Sequence, residues 1–286
     1  MIQISRFCVL LLIVTSQFLS AESFKVGVLQ DLPYGMHASQ KMDIYLPSFP
    51  VDASNHLTVL MLHGGSDKAD SAIVANKVQR WVPQRVIFAS ANYRQAIIAK
   101  PVVQIRDVAQ ALAMVQRKIT AWGGDADKVI LMGYGDGAYL ATLLSMSPDV
   151  LAEEGVSPWL GTIALSPVGL DVVSTMENSR TSKFENWFGT DLNYWKTISP
   201  LHQLEHAEKP LLIVCSTLSS EDDCTAADEL KFAATPLEKE VEIMTVRLDN
   251  QYMSDSLGKE NDYTMAIESF INRLYQSNDE TKTELN

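Results

Sequence analysis

Residues 129–141 decide the fold of this chain, and they read Val-Ile-Leu-Met-Gly-Tyr-Gly-Asp-Gly-Ala-Tyr-Leu-Ala. The apolar start predicts a short buried strand over residues 129–133. The glycines that alternate with Tyr134 and Asp136 predict a tight turn. Small and apolar residues then predict a helix that begins at Ala138. A strand that turns directly into a helix is typical of α/β proteins with a parallel sheet.

The same alternation extends over the rest of the chain. Near-continuous apolar runs are typical of parallel strands that are covered on both faces. The sequence therefore predicts an α/β fold with a doubly wound, mostly parallel sheet. Residues 172–194 lack a clear period and are predicted to form a small cap over the carboxyl edge of the sheet. The predicted strands are 57–62, 86–91, 129–133, 161–165, 211–215 and 241–246, and the predicted helices are 102–122, 138–145, 226–234 and 263–275.

Length and composition favour one globular domain. The chain has 286 residues, of which 47% are hydrophobic, so it has enough apolar material for a full core. Residues 22–276 are predicted to form this single domain, and residues 277–286 a flexible tail. The net charge of −12 argues against nucleic-acid binding, since phosphate backbones require Lys and Arg.

The first 21 residues resemble a signal peptide. Arg6 precedes a short apolar run over residues 7–14, and Ala21 provides a small residue for cleavage. The predicted location is therefore secreted or periplasmic, with no stable membrane insertion after cleavage. Retention of this segment as an uncleaved anchor is the alternative. Cleavage would leave Cys215 and Cys224, which either form one disulfide or remain two buried thiols.

Several motifs, taken in their order and spacing, resemble the α/β-hydrolase esterases of the feruloyl-esterase-like and carboxylesterase-lipase group. The resemblance covers roughly residues 34–274, and it implies the α/β-hydrolase fold and an ester-cleaving Ser-His-acid site. The motifs are Met42-Asp43-Ile44-Tyr45-Leu46-Pro47, His63-Gly64-Gly65, Asn92-Tyr93-Arg94, Asp107, Trp122-Gly123-Gly124-Asp125, the segment 133–141, Trp195, and Ser199-Pro200.

The nucleophile expected from this resemblance is missing. The family carries Gly-x-Ser-x-Gly at the turn, and the matching position here is Gly135, which cannot form an acyl intermediate. Asp136 as nucleophile is the alternative, but that register would put the bulky Tyr134 at a position that requires a small residue. Asp136 is instead predicted to join Gly64 and Gly65 at the oxyanion-hole-like positions, where its carboxylate would repel an oxyanion.

The acid and the histidine of the family are also missing from their expected places. The acid position falls on Ser219, or on Asp222 if the loop shifts. The histidine position falls on Gln251, which cannot act as a general base. No shift of the alignment supplies a histidine, because all five histidines precede Lys209.

Three hypotheses follow. The leading one is a pseudoenzyme that binds an unknown small ligand in a cleft. The second is an ester hydrolase with displaced chemistry, in which Ser66 or Ser166 is the nucleophile and Asp136 or Asp222 is the base. The third is a protein that binds another protein. No cofactor and no metal site are predicted. The predicted cleft residues are His63, Ser66, Tyr134, Ser166 and Tyr252.

Overall fold

The computed structural model describes residues 26–48, 55–64, 72–218 and 223–284, so the predicted signal peptide lies outside the described residues. The chain folds into one eight-stranded sheet with helices on both faces. The strands are β1 (Gly27–Pro33), β2 (Lys41–Leu46), β3 (His56–Leu62), β4 (Ile87–Ala91), β5 (Gly124–Tyr134), β6 (Gly161–Leu165), β7 (Leu211–Ser216) and β8 (Val241–Val246). The helices are α1 (Ala72–Trp81), α2 (Pro101–Lys118), α3 (Asp136–Ser145), α4 (Pro148–Glu154), α5 (Val172–Asn178), α6 (Ser182–Phe188), α7 (Leu192–Thr197), α8 (Pro200–Gln203), α9 (Asp223–Ala234), α10 (Asn250–Ser256) and α11 (Asp262–Glu284).

The sheet confirms the predicted fold class. Its strand order is β1-β2-β4-β3-β5-β6-β7-β8. The pairs β1–β2 and β2–β4 are antiparallel, and all other pairs are parallel. Leu62 pairs with Gly133, and Tyr134 pairs with Leu165. The carboxyl ends of β3, β5 and β6 therefore meet at one edge of the sheet, where α/β proteins place their sites.

Alternate residues of the central strands pack on opposite faces of the sheet, which explains why the strands are apolar throughout. On β3, Leu60 and Leu62 belong to an apolar cluster with residues of α2 and α3. Val59 and Met61 belong to a second cluster, with residues of α1 and α11. Both faces of β3 are thus dry, as expected for a parallel sheet between two helical layers.

The cap consists of three short helices, α5, α6 and α7. Each begins at a residue whose side chain accepts a hydrogen bond from the first turn, namely Asp171, Thr181 and Asp191. Such side chains satisfy backbone N–H groups that have no partner within the helix. Helices of six or seven residues are too short to show a helical period, so the sequence indicated only a cap without regular structure.

The structure differs from the prediction at the carboxyl end. The predicted tail begins at residue 277, but α11 continues to Glu284. The added turns are held by an ion pair between Lys128 and Asp279 and by the Ser277 hydroxyl, which donates to the Arg273 carbonyl oxygen at 3.0 Å. Although α11 has 23 residues, neither it nor any other helix in the described ranges is long and apolar enough to cross a membrane.

Candidate functional site

Gly135 forms the tip of the turn that joins β5 to α3. Its backbone angles are φ 55° and ψ −118°, a region that residues with a side chain rarely adopt. The Gly135 N–H donates to the Leu165 carbonyl oxygen at 2.9 Å, which holds the turn against β6. A Cβ atom placed on Gly135 would meet no described atom within 4 Å. The turn thus has the sharp shape that presents a nucleophile, but it carries no side chain.

The two flanking glycines allow the strand and the helix to approach each other closely. A Cβ on Gly133 would lie 2.2 Å from the carbonyl oxygen of Gly137. A Cβ on Gly137 would lie 2.5 Å from the carbonyl oxygen of His63. Neither position has room for a side chain. Since Asp136 is the first residue of α3, the residue at the tip of the turn is Gly135, which is half-buried.

Asp136 is buried at the start of α3, and it contacts the cap. Its side chain is 10% exposed, and its Oδ1 lies 3.4 Å from the Nζ of Lys183 on α6. The Lys183 side chain is 60% exposed. Nothing in the sequence signalled this contact, because 47 positions separate the two residues and Lys183 lies in a segment without a clear period. The pair thus joins a carboxylate at the start of α3 to an ammonium group of the cap.

His63 is buried in a structural network beside the turn. Its Nδ1 lies 2.7 Å from the Gly64 carbonyl oxygen, and its Nε2 lies 2.8 Å from Oδ1 of Asn92. The ring stacks on Tyr93, whose hydroxyl donates to the His63 carbonyl oxygen at 2.8 Å. Both ring nitrogens and one ring face are therefore engaged within the fold. His63 shapes the turn after β3 and is not placed as a general base for a nucleophile.

The remaining predicted cleft residues are dispersed around the edge of the sheet. Ser166 follows β6, is 4% exposed and has a positive φ of 47°. Tyr134 is half-buried against the apolar cluster between the sheet and α11. Gln251 and Tyr252 lie in the first turn of α10, where Asp249 caps the helix by accepting from the Tyr252 N–H. Both side chains are exposed, that of Tyr252 by 64%.

The remaining predicted site positions are Gly65, Ser66, Ser219 and Asp222, and they lie outside the described residues. The acid segment is bracketed by Cys215, at the end of β7, and Cys224, in the first turn of α9. These two residues form a disulfide with a Cα–Cα distance of 5.1 Å. Across the ranges that the structure describes, no three His, Cys, Asp or Glu side chains are grouped so as to hold a metal ion.

We expect reduction of the disulfide to lower the free energy of unfolding by about 2–3 kcal/mol, because it would release a short loop in the unfolded chain. The measurement is urea unfolding of the chain from Glu22 onward, with and without dithiothreitol. The control is a Cys215→Ala/Cys224→Ala variant, which dithiothreitol should leave unchanged. Equal midpoints for the unsubstituted chain in both buffers would contradict a stabilising bond between Cys215 and Cys224.

Aromatic packing fixes the cap on α3. Tyr139 makes edge contacts with Trp187 and Phe188, with ring centroids 5.2 and 5.6 Å apart. The Tyr139 hydroxyl donates to the carbonyl oxygen of Ile198, at the end of α7, at 2.8 Å. Burial raises the pKa of Tyr139, so the phenol keeps the proton that it donates. The cap is therefore attached directly to the helix that follows the turn.

A cavity of about 480 Å³ opens between the cap, the segment after β6 and the start of α9. Its wall includes the hydroxyl groups of Ser174, Thr175 and Thr181 and the ring of Phe184. This volume lies within the range of roughly 300–1,000 Å³ that is usual for small-molecule sites. The sequence did not predict the cavity, because residues from separate segments form it only in the folded chain.

Comparisons with known proteins match this chain to esterases and lipases. Residues 42–224 match the BD-FAE family. The isoprenylcysteine alpha-carbonyl methylesterase ICME of Arabidopsis thaliana is 27% identical over 139 residues, which are 47% of this chain and 32% of that protein. The bile salt-activated lipase of Mus musculus is 26% identical over 173 residues, 49% of this chain and 29% of that lipase. The chain thus spans about a third of the length of these curated relatives.

Solved structures show the same architecture. Esterase B from Lactobacillus rhamnosis superimposes with a TM-score of 0.74 at 14% identity, over 90% of this chain and 89% of that one. A truncated carbohydrate esterase from gut microbiota superimposes with a TM-score of 0.69 at 15% identity, over 90% of this chain and 99% of that one. At such low identity these likenesses show the fold alone.

Proposed function

Since the chain belongs to the BD-FAE family of α/β-hydrolase-fold esterases, we propose that it is an exported pseudoenzyme of that family, which binds a ligand or a partner at the former active site and does not hydrolyse esters. The observation that carries this proposal is the turn at Gly135. Its backbone has the shape that presents a nucleophile, yet no side chain is available to attack.

The surroundings of the turn support the same proposal. Asp136 follows the turn directly, at an oxyanion-hole-like position of the family, and a carboxylate at that position would raise the energy of a developing oxyanion. His63 is engaged in the fold through both ring nitrogens. Gln251, at the histidine position, cannot take a proton from a hydroxyl. Loss of both nucleophile and base leaves no route to an acyl intermediate at this turn.

We expect the natural chain from Glu22 onward to hydrolyse p-nitrophenyl acetate only at the background rate. A Gly135→Ser/Gln251→His variant should exceed a Gly135→Ala/Gln251→His control by about 10-fold, a small part of the 10²–10⁴ that a well-placed base contributes. The control carries the same histidine and a side chain at residue 135, but no hydroxyl. Turnover of the natural chain at an enzymatic rate would refute inactivity.

An ester hydrolase with displaced chemistry is the second candidate. The observation in its favour is the backbone of Ser166, which has a positive φ of 47° at the carboxyl end of β6. Residues with a side chain that adopt a positive φ are strained, and such strain is frequent at functional sites. Against it, the Ser166 side chain is buried. If the natural chain is active, Ser166→Ala should abolish turnover. Full activity in that variant would exclude Ser166 and leave Ser66 as the nucleophile to test.

A further inference from the structure

The two side chains of the Asp136–Lys183 ion pair differ in their exposure to solvent. The carboxylate is 10% exposed and the lysine side chain 60% exposed, with 3.4 Å between Oδ1 and Nζ. A buried carboxylate requires a positive partner, because leaving it uncompensated is costly. A largely exposed ammonium group gains little from the same contact, since water solvates it well. Lys183 can therefore leave Asp136 if another cation takes its place.

The place that the Lys183 ammonium occupies is suited to a cation. Its Nζ lies 5.8 Å from the ring centroids of both Phe184 and Trp187. Ring faces at about 6 Å or less attract cations, and more so where water is excluded. A carboxylate together with aromatic rings is a typical environment for an ammonium group. The Lys183 ammonium group thus occupies a place beside Asp136 that would suit the cation of a ligand.

Two open spaces lie near this ion pair, one at the residue before Asp136 and one beside the residue after Lys183. Gly135 leaves the tip of the turn open, with no described atom within 4 Å of a Cβ. Phe184, whose ring centroid lies 5.8 Å from the Lys183 Nζ, also forms part of the wall of the 480 Å³ cavity. Among the described residues that form that wall, Asp171 and Glu229 are acidic and none is Lys, Arg or His, while the Asp171 carboxylate also caps α5 and lies 3.6 Å from Nε2 of His202. Clefts lined by one sign of charge concentrate ligands of the opposite sign.

We propose that the turn at Gly135 and the neighbouring cavity form a binding site for a small organic cation of the ammonium class. The ammonium group takes the place of Lys183 Nζ beside Asp136, and the body of the ligand lies in the cavity against Phe184. Lys183 acts as a tethered competitor that fills the site when no ligand is bound. This inference rests on the proposed function, because a catalytic side chain at position 135 would fill the space beside the carboxylate.

The test is calorimetric titration of the full chain with choline and with 3,3-dimethyl-1-butanol, which has the same shape without the charge. Choline should bind at least about 10-fold more tightly, the order of a desolvated cation–π and carboxylate contact. Asp136→Asn, which keeps the shape, should weaken choline binding about 10-fold or more, because a quaternary ammonium has no N–H and is held at Asp136 by charge attraction alone. Lys183→Met should tighten it about 2-fold to 5-fold, the usual strength of a surface ion pair.

The matched control is Lys118→Met. Lys118 is exposed at the carboxyl end of α2, and its replacement changes the net charge equally. It should leave choline binding unchanged, and equal effects of the two lysine variants would overturn the role of Lys183. Equal affinity for choline and its neutral analogue, or full choline affinity in Asp136→Asn, would overturn the cation site. Hydrolysis of p-nitrophenyl acetate by the same preparations tests the proposed function separately, so a failure of the cation site is distinguished from a failure of the proposed function.

Discussion

Replacing Gly133 with alanine should lower the free energy of unfolding by more than about 4 kcal/mol, a loss seen only when a substitution cannot be accommodated. The new Cβ would lie 2.2 Å from the carbonyl oxygen of Gly137 and 2.6 Å from the Cα of Ala138. Both atoms belong to the backbone of α3, so no rotation of a side chain can relieve the clash. The helix would have to move away from the sheet, and its residues are buried throughout.

Urea unfolding followed by circular dichroism provides the measurement, together with the soluble yield. The control is Gly155→Ala at the end of α4, where φ is 68° and a Cβ would meet no described atom within 4 Å. That variant should lose only about 1–2 kcal/mol, the cost of a left-handed conformation alone. If Gly133→Ala loses no more than Gly155→Ala, then α3 does not pack on β5 as closely as described.

Replacing Asp107 with asparagine should lower the free energy of unfolding by about 3–5 kcal/mol, the range for breaking a buried charge pair. Asp107 is fully buried on α2 and forms an ion pair with Arg94. Its Oδ2 accepts from the Arg94 backbone N–H at 3.0 Å and from Nε at 2.8 Å, and its Oδ1 accepts from Gln40 Nε2 at 2.8 Å. An amide has one oxygen and would direct its own N–H groups toward these donors.

The hydrogen bond to Asp107 raises the pKa of Arg94, so the guanidinium stays charged and would lose its partner at any pH used for the measurement. The control is Asp228→Asn on the exposed side of α9, which should change stability by less than about 0.5 kcal/mol. A similar small loss for Asp107→Asn would contradict the network. Because Arg94 follows the Asn92 and Tyr93 that hold His63, the substitution should also loosen the turn after β3.

The sequence was sufficient to predict the fold, because each central strand is a continuous apolar run. It was also sufficient for the turn at Gly135, since the spacing of Gly133 and Gly137 reflects the close contact of β5 and α3. Both features depend on residues that are near one another in the chain, where residue type and spacing carry the information.

Features that depend on distant or weakly patterned segments could not be predicted. The contact between Asp136 and Lys183 joins two segments 47 positions apart, and nothing in either segment specifies the other. β1 escaped notice because its residues are mostly exposed and do not alternate. α10 was not predicted because it has only seven residues, and its main signal is the capping residue Asp249.

The backbone of Gly135 also bears on whether substitutions could give this turn a working nucleophile. A serine restored at this position would have to adopt a positive φ, which costs about 1–2 kcal/mol, from a total stability of about 5–15 kcal/mol for a typical domain. That first step would yield no activity, because Gln251 cannot act as a base. A histidine restored first would likewise find no hydroxyl to activate. Under the proposed function, each of the two residues removes the selective advantage of changing the other, so that a change from enzyme to binding protein would be hard to reverse.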